Sequence, residues 1–303
     1  MKSGSAGWFF AAVLLAGLIG RPAGAMGSGD ARSLAADNGA FALDLYARLG
    51  GREGNLLFSP WSISTCLAMV YAGAHGDTAA EMAQTLHFSA EPAPLAAAFG
   101  ELQRQLNAPD RENGVELNLA DGLWGQQGHP FLAAFLALAR DTYQASLTQV
   151  DFRTQSEPAR EAINAWVSQK TKGKITDLLG PGTLNSATRL VLVNAIYFKG
   201  RWARPFDKAD TANAPFRVAP SQKLEAPLMS LTADFAVIHK AFVEVNEEGT
   251  EAAVATGAVA RAMAVRRPQP IPTFRADHPF SFLIRDTRSG AILFLGRLVN
   301  PVP

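Results

Sequence analysis

Residues 190–198 read Leu-Val-Leu-Val-Asn-Ala-Ile-Tyr-Phe, apolar but for one asparagine and rich in β-branched and aromatic side chains. The run lacks the strict alternation of a strand with one wet face, and it is far too short to cross a membrane as a helix. It predicts a central strand buried on both faces, and so a sheet with packed layers above and below it. Residues 237–245 and 291–299 predict two further strands. The N-terminal half has a different period. Residues 32–48 carry Leu34, Phe41, Leu43 and Leu45 at helical spacing and stop at Gly50-Gly51. Ser59-Pro60 predicts a helix start, with Ser as N-cap and Pro at the first helical position, and the helix 61–71 is apolar nearly all round. Asp77-Thr78 predicts the cap of a helix ending near Leu86. Further helices are expected over 92–106, 131–140 and 158–171. Helices first and strands later predict an α+β fold.

Composition narrows the function. Hydrophobic residues make up 48% of the chain and charged residues 18%, enough apolar surface for a sizeable core. Lys+Arg is 28 and Asp+Glu is 27, a balance that argues against a nucleic-acid partner or a polybasic membrane anchor. A single cysteine makes no internal disulfide and no multi-cysteine metal site. Lys2, the apolar run from Trp8 to Ile19 and the triplet Ala23-Gly24-Ala25 resemble a secretory leader cleaved after Ala25. That divides the chain into a leader, 1–25, and one domain, 26–303, expected outside the cell or in a periplasm. No Asn-x-Ser/Thr acceptor occurs.

No enzyme site emerges from the residues themselves. The five histidines, His75, His87, His129, His239 and His278, fall in no metal-binding spacing, and no nucleophile elbow or phosphate loop occurs. Cys66, inside the apolar helix after Pro60, is expected to be an inert packing thiol. No cofactor or metal is expected. Residues 246–273 are less ordinary. Thr250, Ala252, Val254, Thr256 and Ala258 place small uncharged side chains on one face at a strand's period of two. The segment then ends in the proline-rich stretch 266–272, which predicts an extended, exposed conformation.

Several stretches, in order, resemble the serpin family. They are Asn55-Leu-Leu-Phe-Ser-Pro-Trp-Ser-Ile63, Val193-Asn-Ala-Ile-Tyr-Phe-Lys-Gly-Arg-Trp202, Val245-Asn-Glu-Glu-Gly-Thr-Glu-Ala-Ala253, Asp277-His-Pro-Phe280 with Phe282-Leu-Ile284, and Gly296-Arg-Leu-Val-Asn-Pro301. The resemblance implies N-terminal helices packed on a large mixed sheet, smaller sheets, and an exposed reactive loop at about 247–273. It implies a monomeric suicide inhibitor of serine proteases, not an enzyme. The hinge is then Glu247, Gly249, Thr250, Ala252, Ala253 and Ala255. The reactive bond is Met263-Ala264, facing an elastase- or chymotrypsin-like protease, with Arg261 and Arg266 as alternatives for a trypsin-like one. Ser59, Ser62, Asn194 and His239 match the family's polar cluster beneath the point where strands part, and Trp202 its aromatic at the top of the sheet.

The chain is short for this resemblance. Removal of the leader leaves 303 − 25 = 278 residues. The shortage falls near 231–236, where a few residues replace several strands and helices, among them an edge strand of the main sheet. The strand 237–245 is then expected to lack its outer neighbour, and Glu247 its basic partner. Two other readings stand beside inhibition: a truncated, non-inhibitory serpin-like binding module or remnant, and, remotely, a hydrolase of unknown type.

Overall fold

Ser59 accepts a hydrogen bond from the Ser62 amide through its side chain, and Pro60 follows at the first helical position, so the second helix starts where the sequence predicts. The computed structural model describes residues 12–13, 30–108, 115–202, 204–232, 244–246, 249–251 and 275–302. In chain order the elements are β1 (Ala12–Val13), α1 (Asp30–Leu49), β2 (Leu56–Phe58), α2 (Pro60–Tyr71), α3 (Gly76–Leu86), α4 (Pro92–Asn107), β3 (Glu116–Gln126), α5 (Ala133–Tyr143), β4 (Leu147–Val150) and α6 (Ser156–Lys170). There follow β5 (Leu190–Lys199), β6 (Ala212–Ala219), β7 (Gln222–Leu228), β8 (Glu244–Asn246), β9 (Gly249–Glu251), β10 (Phe280–Arg285) and β11 (Ile292–Leu298).

The helices lie within a few residues of their expected places. One cap differs. His75, not Asp77 or Thr78, is the N-cap of α3, and Asp77 sits in the first turn, where its charge still suits the helix dipole. The N-terminal half also holds strands that its periodicity conceals. β3 is eleven residues long, and Gly122 and Gly125 interrupt its pattern.

The main described sheet has the order β4-β3-β5 and is mixed: β3 runs parallel to β4 and antiparallel to β5. Among its described strands β3 lies between the other two, and most of the strand expected over 237–245 lies outside the described residues. Only Val193 and Ala195 of β5 are buried, and most of its other side chains are half-buried. Among the described residues β5 pairs with β3 along one edge.

A second sheet, β1-β10-β11-β2, carries the C-terminal hairpin, and β6-β7 and β8-β9 form separate two-stranded sheets. β1 lies within the expected leader and pairs parallel with β10, Ala12 opposite Ser281 and Val13 opposite Phe282. Helix α2 packs against both β5 and β11 and joins the two main sheets. Leu117, Leu119 and Leu123 on one face of β3 meet Trp61, Phe99 and Tyr143 in the larger core. The opposite face carries Trp124, which joins Phe152, Ile163 and Val167 under α6. No helix among the described residues is long and apolar enough to cross a membrane.

Candidate functional site

The polar cluster expected beneath the sheet is present in part, and it is larger than the sequence indicated. Asn194 projects from β5 toward α2, because alternation along a strand sends it to the face opposite Val193. Ser62, one turn into α2, donates its hydroxyl to Asn194 Oδ1 at 2.5 Å. Asn194 Nδ2 donates to Asp121 Oδ1 at 2.8 Å. Asp121 stands directly opposite Asn194 in the β3–β5 register. Its second oxygen accepts from Gln103 Nε2 of α4 at 2.6 Å. One chain of hydrogen bonds thus links α2, β5, β3 and α4. Ser59 is occupied as the helix cap.

Asp121 and Gln103 were not picked out by sequence reasoning. Asp121 is only 8% exposed and Gln103 2%. The signal available was a charge inside the apolar stretch Leu119-Ala-Asp-Gly-Leu123, which becomes anomalous only once that stretch is read as a buried strand. Burial pushes the Asp121 carboxyl up to about 6, against the two amide donors that pull it down. Cys66 lies on the same side. Burial, and secondarily the Asp121 charge, push its thiol up to about 12, as expected of an inert packing thiol. Tyr143 is raised as well, first by burial and then by Asp121. The Tyr143 hydroxyl and Gln103 Oε1 are both buried without a hydrogen-bond partner.

The remaining motif residues serve architecture. Asn55 donates to the Asn300 carbonyl at 2.7 Å and accepts from the Val299 and Asn300 amides, which fixes the chain after β11 beside the start of β2. The Arg297 guanidinium donates to the carbonyls of Gly50, Arg52 and Gly54 and gathers the loop between α1 and β2. Trp202 stacks edge-on against Phe206 at 5.3 Å and is 46% exposed.

Of the hinge, Gly249 and Thr250 lie in β9, which pairs antiparallel with β8; Val245 faces Thr250 and Asn246 faces Gly249. Gly249 and Thr250 are thus paired with the strand that precedes them. Glu247, Ala252, Ala253, Ala255, Arg261, Met263, Ala264, Arg266 and His239 lie outside the described residues. So does most of the strand expected over 237–245. Among the described residues no group of three or more His, Cys, Asp or Glu could hold a metal ion.

Comparison with known proteins gives a consistent picture. The model of the family described as Serpin (serine protease inhibitor) matches residues 36–237 and 235–301. A Bos taurus protein named leukocyte elastase inhibitor is 35% identical over 385 aligned positions, covering 88% of this chain and 99% of that one. Serpin B6 of Macaca fascicularis is 33% identical over 380 positions, with the same coverage. Since 88% of 303 residues is about 267, some 385 − 267 = 118 positions of the bovine alignment have no residue in this chain. The family match breaks at 235–237.

Among solved structures, Arabidopsis AtSerpin1 in a native stressed conformation superposes with a TM-score of 0.72 over 90% of this chain and 99% of its own, at 21% identity. At that identity the likeness speaks for the fold alone. A cleaved Serpin 42Da superposes with a TM-score of 0.59 at 33% identity, over 66% of this chain. The superposed part is about half, 52%, of that protein's length.

Proposed function

The chain belongs to the serpin family, and from that premise we propose that it inhibits a serine protease by acting as a suicide substrate. The observation that supports the reading is the polar chain Ser62–Asn194–Asp121–Gln103, which joins β5 to the helices beneath it. It lies under the strand beside which the family resemblance puts loop entry. The protease attacks the loop 247–273 and is held as an acyl-enzyme. The cut loop then enters beside β5, Thr250 first, with Gly249 as the pivot. An inserted strand of about ten residues adds hydrogen bonds worth roughly 1 kcal/mol each, besides packing. That free energy is released only after cleavage, so the uncut form is held kinetically.

Met263-Ala264 is the bond we assign, with Arg261 and Arg266 as alternatives. A methionine there suits an elastase- or chymotrypsin-like enzyme, and the name of the bovine relative agrees with the first. We assign residues 1–25 as a secretory leader from their sequence pattern, and so a secreted or periplasmic compartment and a monomeric inhibitor.

Incubation with elastase, chymotrypsin and trypsin, followed by denaturing electrophoresis, tests this. A covalent complex with one of them, mapped to Met263 and transferred to trypsin by Met263→Arg, is the expected result. Cleavage with no complex supports a second reading, a truncated non-inhibitory binding module. That reading rests on the break in the family match at 235–237 and the roughly 118 positions without a counterpart.

A further inference from the structure

Asp121 is a buried carboxylate whose polar partners among the described residues are two neutral amides, those of Asn194 and Gln103. Two of the groups that face it are uncharged. Cys66 comes from α2 and Tyr143 from α5, both held protonated by their surroundings. Lys170 of α6 lines the same cavity of about 360 Å³ without forming an ion pair with Asp121. An ionised carboxylate buried without a cation is costly.

The cluster is also short of one hydrogen. Gln103 Oε1 is buried with no donor, while its amide nitrogen points at Asp121. If Asp121 carries a proton, rotation of the Gln103 amide by half a turn gives that proton an acceptor in Oε1, in exchange for the present donation from Nε2 to the Tyr143 carbonyl at 3.4 Å. The cavity, lined by Asp121, Gln103, Tyr143 and Ser146, gives solvent protons a way in.

We propose that the Ser62–Asn194–Asp121–Gln103 cluster is a proton-operated latch. A neutral Asp121 carboxyl ties α2, β5, β3 and α4 into one unit, and loss of its proton loosens β5 from the helices beneath it. Its bearing on inhibition rests on the inhibitor reading, because β5 is the strand beside which the loop enters. The latch itself is measured with no protease present, so the two fail separately.

The sign follows from linkage. The Asp121 pKa is raised from 3.8 to about 6, so the native state binds this proton more tightly than the unfolded state. The stabilisation is complete below the unfolded value and is lost as pH rises through about 6. Other carboxylates, Glu116, Asp151 and Glu157 among them, are shifted downward by their partners and act in the opposite sense. The wild-type pH profile therefore mixes both effects, and its ratio to a variant isolates Asp121.

The experiment is urea unfolding of the full chain from about pH 4 to about pH 7.5, in wild type, Asp121→Asn and His239→Gln. Over that range the unfolding constant of the wild type should rise by up to about a hundredfold relative to Asp121→Asn, and the His239→Gln variant should follow the wild type. A flat wild-type to Asp121→Asn ratio, or a pH dependence that disappears in His239→Gln instead, overturns the proposal. If Asp121→Asn does not fold, carbon-detected NMR titration of the wild-type aspartates decides. The expected result is one carboxyl, assigned to Asp121, with a midpoint near 6. An Asp121 midpoint below about 5, inside the ordinary aspartate range, overturns the proposal.

Discussion

Asp121 and Asn194 face each other across β3 and β5, and the Asn194 amide nitrogen donates to the Asp121 carboxylate at 2.8 Å. The same asparagine accepts the Ser62 hydroxyl through its oxygen, so one side chain joins the sheet to the helix beneath it. Asn194→Ala leaves Asp121 Oδ1 and the Ser62 hydroxyl without their partner. It should cost about 2–4 kcal/mol, as expected for breaking a buried polar network that includes a carboxyl. The change is read as a lower urea midpoint at an unchanged slope.

Cys66 should not react with a disulfide reagent in the native protein near neutral pH, because burial pushes its thiol up to about 12. Unfolding restores an ordinary thiol, and labelling should then be complete within seconds to minutes. Cys66 is half-buried, and rapid labelling without denaturant contradicts the raised thiol pKa.

Gly296 lies where β11 crosses between β2 and β10. A Cβ there would come within 2.7 Å of the Leu56 carbonyl oxygen and 2.7 Å of the Phe282 ring. The carbonyl is backbone in a paired strand and cannot move aside without breaking the Gly296–Leu57 register. Gly296→Ala should therefore destabilise by about 1–3 kcal/mol, the usual penalty of overpacking. Thermal denaturation checks it, with Gly39→Ala as control. Gly39 has open space around its position, and alanine suits a helix interior better than glycine.

Thr250→Arg tests the hinge. A long charged side chain at the first entering position should abolish the covalent complex and turn the protein into a substrate that is cleaved and released. Thr250 belongs to a short two-stranded ribbon, and the thermal midpoint of the variant is measured beside wild type to separate loss of the complex from loss of folding. Gel analysis of the protease reaction distinguishes complex from cleavage. Undiminished complex formation would contradict loop insertion beside β5.

The parts of the fold that were legible in the sequence are local. Ser59-Pro60 marked the start of α2 because the cap and the proline act within one turn. The helices were readable from their own periodicity, and the C-terminal strand from its apolar run. β3 was missed because its two glycines break the alternation. Both are there because neighbours leave no room: a Cβ on Gly122 would meet the Trp124 ring at 2.3 Å, and one on Gly125 the Phe131 ring at 2.6 Å. Trp124 is only two residues along the chain, but where its ring and that of Phe131 lie is set by the folded arrangement. The same is true of the cluster. Ser62 and Asn194 were found through motif resemblance, whereas Asp121 and Gln103 belong to it only because β3 and α4 pack there.

The sequence alone determined the family, since five short motifs in a fixed order each encode a local act, such as capping a helix or pairing a strand. It also located the break near residue 235, where the family match divides. Only the tertiary structure decided that β3 lies between β4 and β5, and that the Asp121 carboxyl is buried beside Asn194 of β5. Register between distant strands and the loss of water around a charge are properties of the packed whole. No local pattern of residues specifies either one.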